Sequence, residues 1–329
     1  MSTSETENTL PVGTPMQPVY LVQANNRKTD DEIDLRELWN ALWQGKVTII
    51  TITSVFAIAS VIIALMLPNI YRSEALLAPA EESQGGGLSA LAGQFGGLAS
   101  IAGINLSDGA TDPTVVAIET LKSRRFVKTF IDKHKLLVPL MASDGWNESD
   151  NTLTIDAGIY NSDTQEWVRD VSPPLQAKPS DTEAYKVFME EVLSVSQDKK
   201  SSLVRIGVEF YSPTLAKQWV DWLVTDINDY MRTKDLNSAN RTIDYLTKQL
   251  NSTSIADMQT IFYQLIEEQT KTIMLANVRQ DYVLEVIDPA VVPEEEAKPH
   301  RILIIVIGAL LGATLSIAAV TIFQYRHQL

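Results

Sequence analysis

The sequence predicts an α+β protein carried on two transmembrane helices, one near each end. Between them it predicts a mixed α/β base close to the membrane and a long extended helix or helical hairpin. Three observations carry this expectation. Val47–Leu67 and Ile302–Phe323 are unbroken apolar blocks without a charged residue. Residues 201–212 alternate Val204, Ile206, Val208 and Phe210 with Leu203, Arg205, Gly207, Glu209 and Tyr211, the period of two of a half-buried strand. From Pro213 onward, Leu215, Trp219, Leu223, Ile227 and Tyr230 mark one helical face.

In chain order, residues 1–29 mix Ser, Thr, Pro, Asn and Gln with few large apolar groups, so a disordered tail is expected. Residues 30–46 read as an amphipathic juxtamembrane helix. Asp31 and Asp34 imitate a capping box, and Leu35, Leu38, Trp39 and Leu42 follow at helical spacing. Trp39 and Trp43, a turn apart, with Lys46 at the lipid surface, fit an interfacial belt. Residues 47–67 form the first span. As a helix it is about 31–33 Å long, enough for a hydrocarbon core of about 30 Å. Its 46-residue N-terminal flank is too long for a cleaved signal peptide, which occupies roughly 15–30 residues in all. Residues 302–323 form the second span and 324–329 a short tail. Both termini then lie on one side and residues 68–301 on the other. Arg27, Lys28, Arg36, Lys46 and Arg326 favour termini in the cytoplasm only slightly, because Arg72 and Arg301 flank the far ends. Arg301 is expected to anchor that far interface.

Within residues 68–301, a strand is expected over Ile70–Leu77. Residues 84–110 space Leu88, Leu91, Phe95, Leu98 and Ile101 like a helix, yet each glycine among them costs about 1 kcal/mol there. A mobile loop with short helical pieces, offered to a partner or the bilayer, is expected. Asp112-Pro113 pairs an N-cap with a first-turn proline and should open a helix to about Lys135. Residues 143–182 predict loops plus a strand near Leu153–Ile159, and Asp181–Val195 predicts another helix. Ser212-Pro213 opens the longest helix, which would run about 57 Å if continuous to Leu250. A second helix over Ala256–Asn277 completes a helical extension across 213–280. Tyr282–Ile287 predicts a last strand. The first and last strands each adjoin a span, so they are expected to share a sheet at the base.

The formal net charge of −14 and pI near 4.7 argue against a nucleic-acid partner, which demands a basic footprint. With no cysteine, disulfides and thiolate metal sites are excluded. Gly45-Lys46 resembles a P-loop end, but Asn40 stands where a glycine is needed and Val47 where Ser or Thr is needed. No zincin helix or nucleophile elbow occurs, and His134, His300 and His327 are far apart in sequence. No catalytic, cofactor-binding or metal-binding residue is therefore assigned. The informative segment precedes the second span: Pro289, Pro293 and Pro299 predict a stiff, extended linker. Inside that span, Gly308 and Gly312 form a GxxxG that lets another helix approach closely.

These pieces together resemble the Wzz-type polysaccharide co-polymerases, the O-antigen chain-length determinants. The resemblance runs from about Asp31 to Phe323. It rests on Glu32-Ile33-Asp34-Leu35, on Tyr71-Arg72-Ser73-Glu74-Ala75, and on Leu121-Lys122-Ser123-Arg124 with Phe126. It is strongest at Ile287-Asp288-Pro289-Ala290 with the later prolines and the glycine pair. Lys298-Pro299-His300-Arg301 replaces a more usual Ser-Pro-Lys. The resemblance implies a non-enzymatic protein of the Gram-negative inner membrane, with termini in the cytoplasm and residues 68–301 in the periplasm. It implies a homo-oligomeric ring, commonly an octamer, acting on a membrane polymerase, with the bilayer and the growing polysaccharide as further contacts. A related reading is a co-polymerase for capsule or exopolysaccharide export working with a separate tyrosine kinase. A two-span receptor lacks an output domain here, and a periplasmic hydrolase lacks a site.

Overall fold

The computed structural model describes Trp43, residues 45–80 and residues 112–327, with side chains through Phe323. The expected N-terminal tail, most of the juxtamembrane helix including Trp39, and the glycine-rich 84–110 segment lie outside the described residues.

Helix α1, Lys46–Met66, has a mean hydropathy of 2.6 and is long and apolar enough to cross a membrane. The chain turns at Pro68 into strand β1, Tyr71–Pro79. Helix α2, Pro113–Leu121, begins where the Asp112 carboxylate accepts from the Thr114 amide. A single helix to about Lys135 is predicted, but two are present. The Ser123 hydroxyl accepts from the Phe126 amide at 3.2 Å and caps a separate helix α3, Arg124–His134. Serine competes with the helix ladder for backbone donors, and that competition wins here.

Helix α4, Leu137–Ala142, leads into a hairpin of β2, Ser143–Asn147, and β3, Thr152–Ile155. A smaller hairpin joins β4, Tyr160–Asn161, to β5, Glu166–Trp167, with the Tyr160 and Trp167 rings edge-on at 5.0 Å. Helix α5, Asp181–Val187, carries a full capping box between Ser180 and Glu183. The helix predicted to reach Val195 ends early, in a π-helical turn at Phe188–Val192. Residues from Leu193 become β6, Leu193–Gln197, because Leu193 and Val195 pair with Val208 and Ile206 of β7, Val204–Phe210. Strand pairing overrides local helical spacing.

Helix α6, Pro213–Ser252, is 40 residues long, about 60 Å at 1.5 Å per residue. Helix α7, Ala256–Val278, returns beside it, followed by β8, Leu284–Asp288, and α8, Arg301–His327. Residues 301–323 of α8 again show a mean hydropathy of 2.6. The chain forms two compact units, one holding Lys46–Phe56 with Ala309–His327 and the other the described residues from Ala57 to Gly308.

The larger unit centres on a four-stranded antiparallel sheet of order β6-β7-β1-β8. Register runs from Tyr71 opposite Phe210 to Leu77 opposite Val204. One face buries Ala75, Leu77, Ile206 and Val208 against Ala216, Trp219, Val220 and Leu223 of α6. Phe126 and Tyr230 meet edge-on at 6.0 Å, so the same stretch of α6 also carries α3. Burial along α6 is dense from Pro213 to Met231, and afterwards Ala239 and Leu246 are the buried positions. The rest of α6 pairs with α7 as an extension.

Asn228 sets where that extension begins. It is 4% exposed, and its Oδ1 accepts from the amides of Tyr282, Val283 and Leu284 at 3.1, 2.8 and 3.1 Å. Its Nδ2 donates to the Leu284 carbonyl at 2.9 Å. Arg232, a turn further, donates to the carbonyls of Arg279 and Gln280. The Tyr282 hydroxyl donates to Asp235; burial first, and then this carboxylate, push the phenol well above its ordinary range.

Replacing Asn228 with Ala orphans buried amides, each costing about 1–3 kcal/mol. Hydrogen exchange at residues 282–284 is expected to accelerate, with global unfolding following at lower denaturant. A pH effect follows from Glu183. The Ser180 amide donating to its carboxylate, aided by Arg169 at 2.8 Å, holds the carboxyl below the usual range. A lowered folded-state pKa stabilises above the unfolded value and is lost as pH falls through the folded one. The stability gap between wild type and Glu183→Gln should therefore be open at pH 7 and close in acid, as read by thermal unfolding.

Candidate functional site

The two apolar helices meet the sheet at one joint. The linker of residues 289–300 continues the path of β8 along the first half of β1. The Ser73 hydroxyl donates to the Val291 carbonyl at 2.7 Å. The Ile70 amide donates to the Lys298 carbonyl at 2.9 Å, and the Ala297 amide returns to the Ile70 carbonyl at 2.8 Å. Pro289, Pro293 and Pro299 all lie on this stretch, where each ring fixes φ and removes an amide donor, and the chain bends at Glu294 and Glu295. Ala290, after the first proline, is buried.

Charged side chains extend the joint across the sheet. Lys298 Nζ lies 2.5 Å from Glu209 of β7, and Arg72 reaches the other Glu209 oxygen at 3.6 Å. Glu74 bridges Arg72 at 3.1 Å and Arg205 at 3.4 Å. The Glu209 side chain is 13% exposed, so its two cations hold it in a partly desolvated position. Arg301, first residue of α8, donates Nη2 to Asn69 Oδ1 at 2.6 Å, Nη1 to Glu296 at 3.2 Å and Nε to the Ala64 carbonyl at 3.4 Å.

At the N-terminal end of α1, Lys46 Nζ sits 4.9 Å from the centroid of the exposed Trp43 ring. Gly312 lies against α1: a Cβ there would stand 2.7 Å from Phe56 Cβ and 3.2 Å from Thr53 Cα. The buried positions of α8 around it, Gly312, Ser316 and Val320, recur every four residues. Gly308 shares that face one turn earlier. Gly312 thus lies on the stripe where this chain's own two apolar helices come together.

Sequence reasoning missed Asn69, Ser73, Glu209 and Asn228. None has a spacing that marks it out, and the partner of each is remote in the chain. Elsewhere, a groove of about 370 Å³ opens between α6 and β8, lined by Ala75, Asp221, Asn228, Asp281 and Val286 among others. Asp221 is held by Lys217 at 2.5 Å. Among the described residues, no group of three or more His, Asp or Glu side chains is placed to hold a metal ion.

A sheet tied to two membrane-length helices, with a long helical extension, defines a membrane-anchored α+β scaffold. Residues 31–134 match the family model described as Wzz, chain length determinant protein, and residues 252–324 match GNVR, the G-rich domain on putative tyrosine kinase. The chain belongs to the Wzz-type polysaccharide co-polymerases. The joint is where the two matched regions meet, since β1 and Asn69 come from the first and β8 and Arg301 from the second. Among solved structures, the chain is similar to a full-length bacterial polysaccharide co-polymerase at 15% identity. That match covers 91% of this chain and 99% of the other, with a TM-score of 0.36. It is also similar to a fragment of WzzB, a polysaccharide co-polymerase from Salmonella Typhimurium, at 10% identity. There the cover is 70% of this chain and 100% of the other, with a TM-score of 0.25. No curated protein matches the sequence. Members of the family are regulatory scaffolds that oligomerise and work with polymerases.

Gly312→Leu should force the two helices apart, and overpacking of this kind costs about 1–3 kcal/mol. Thermal unfolding in detergent is the measurement, with Gly308→Leu as the companion substitution on the same face. Both are expected to unfold at lower temperature than wild type.

Proposed function

We propose that the protein is a non-enzymatic regulator of O-antigen chain length in lipopolysaccharide, acting on the membrane polymerase as an oligomeric inner-membrane scaffold. The observation that carries this reading is the chain-length-determinant match over residues 31–134, which spans α1, β1, α2 and α3. In this reading both termini are cytoplasmic and residues 68–301 are periplasmic. Copies assemble into a ring, an octamer being the working stoichiometry, and the growing polysaccharide passes beside it. Exposed apolar side chains on the extension, Tyr245, Ile255, Tyr263, Met274 and Val278, support association with neighbouring copies.

A second reading has its own observation. The match over residues 252–324 is to a domain described on a putative tyrosine kinase, which favours a co-polymerase for capsule or exopolysaccharide paired with a separate kinase. Deleting the gene and resolving the polysaccharides on a gel separates the two. A change from clustered to random lipopolysaccharide lengths is expected. Loss of capsule with unchanged lipopolysaccharide would favour the second reading, and normal lengths and amounts of both would overturn each.

A further inference from the structure

We infer that Arg301 is a positioning residue, a clasp that fixes the sheet-side ends of α1 and α8 to each other and to the sheet, rather than a lipid anchor. A lipid-anchoring cation extends its charged head towards the headgroups and water. Here every nitrogen of the guanidinium faces a protein oxygen, those of Asn69, Glu296 and Ala64. The Ala64 carbonyl belongs to the last turn of α1, where carbonyls have no partner within the helix and a cation meets the negative end of its dipole. The guanidinium sets a different nitrogen of one rigid plane against each acceptor; a lysine ammonium has three donors but a single nitrogen, which cannot stand at all three places at once.

The surroundings leave little slack. Asn69 is two residues before β1, and Ile70 between them is held on both backbone groups by residues 297 and 298. Lys298, three residues before Arg301, is tied to Glu209 of β7. Rotating either helix end therefore either carries the sheet with it or breaks the fork. The consequence for function rests on the chain-length reading above: loosening the clasp should alter polysaccharide length without dismantling the assembly.

The chain has no cysteine, so pairs of introduced cysteines can be spin-labelled cleanly in the full protein in nanodiscs. Labels at Leu65 and Leu303, which are 68% and 54% exposed, report the two helix ends, and a label at Ser196 with one at Leu65 reports the sheet. Labelled chains are diluted with unlabelled ones so that distances are read within one copy. Arg301→Lys keeps the charge a lipid anchor needs but removes the fork. It is expected to broaden both distance distributions. Asn69→Ala should do the same from the opposite side, the double variant should broaden them no further, and Asn69→Asp should stay narrow. Wild-type widths in Arg301→Lys would overturn the clasp. In cells, Arg301→Lys should shift the modal polysaccharide length with the amount of assembled protein unchanged. Broadened distances with an unchanged polysaccharide would uphold the clasp and count against the chain-length reading alone.

Discussion

The rest of the structure hangs on β1 lying between β7 and β8 in one antiparallel sheet. Its partners are far along the chain, and closing loops of that length costs conformational entropy that grows slowly with length. Burial offsets that cost. Leu77 of β1, Ile206 of β7 and Leu284 of β8 are completely enclosed, and each fully buried side chain of this size stabilises by roughly 1.5–3 kcal/mol. Because β1 follows α1 by a few residues and β8 leads through the linker to α8, this one pairing brings both chain crossings to the same end of the sheet.

Helix α6 does two jobs that differ in physical character. Over Pro213–Met231 it is a core helix, packed between the sheet and α3 through Trp219, Leu223 and Ile227. Beyond Asp235 it packs, among the described elements, against α7, and its stability there draws on helix propensity and that two-helix contact. Asn228 and Arg232 stand at the change of regime. They collect the backbone groups of residues 279–284 that neither helix nor strand satisfies, so the returning chain enters β8 at one register. A buried amide with all its bonding groups used specifies geometry as well as stability.

At the joint, polar groups do what apolar packing does in the core. The linker prolines restrict φ at three positions, and the Ile70–Lys298 bridge and the Arg301–Asn69 hydrogen bond hold the linker's far end against the start of β1. Exposed ion pairs such as Arg72 with Glu74 contribute little each. Glu209 differs because it is largely screened from water and bonded by two cations from separate segments.

The α+β class, the two membrane-length helices and the alternation of β7 are legible in residue order, because each depends on a period within one segment. Val204, Ile206 and Val208 face one way whatever lies opposite them. So is the start of α6, since Ser212 and Pro213 act on the turn they belong to. What residue order did not reveal depends on partners remote in the chain. Leu193 and Val195 share helical spacing with the preceding turn, and only the edge of β7 makes them a strand. Ser123 looked like an interior helix position until its hydroxyl captured the Phe126 amide. By composition alone, Arg301 beside an apolar block reads as a cation for lipid headgroups. Local periodicity determines which residues turn inward and in what element; the tertiary structure decides which polar atoms meet, because a hydrogen bond is satisfied only where its partner arrives within about 3 Å.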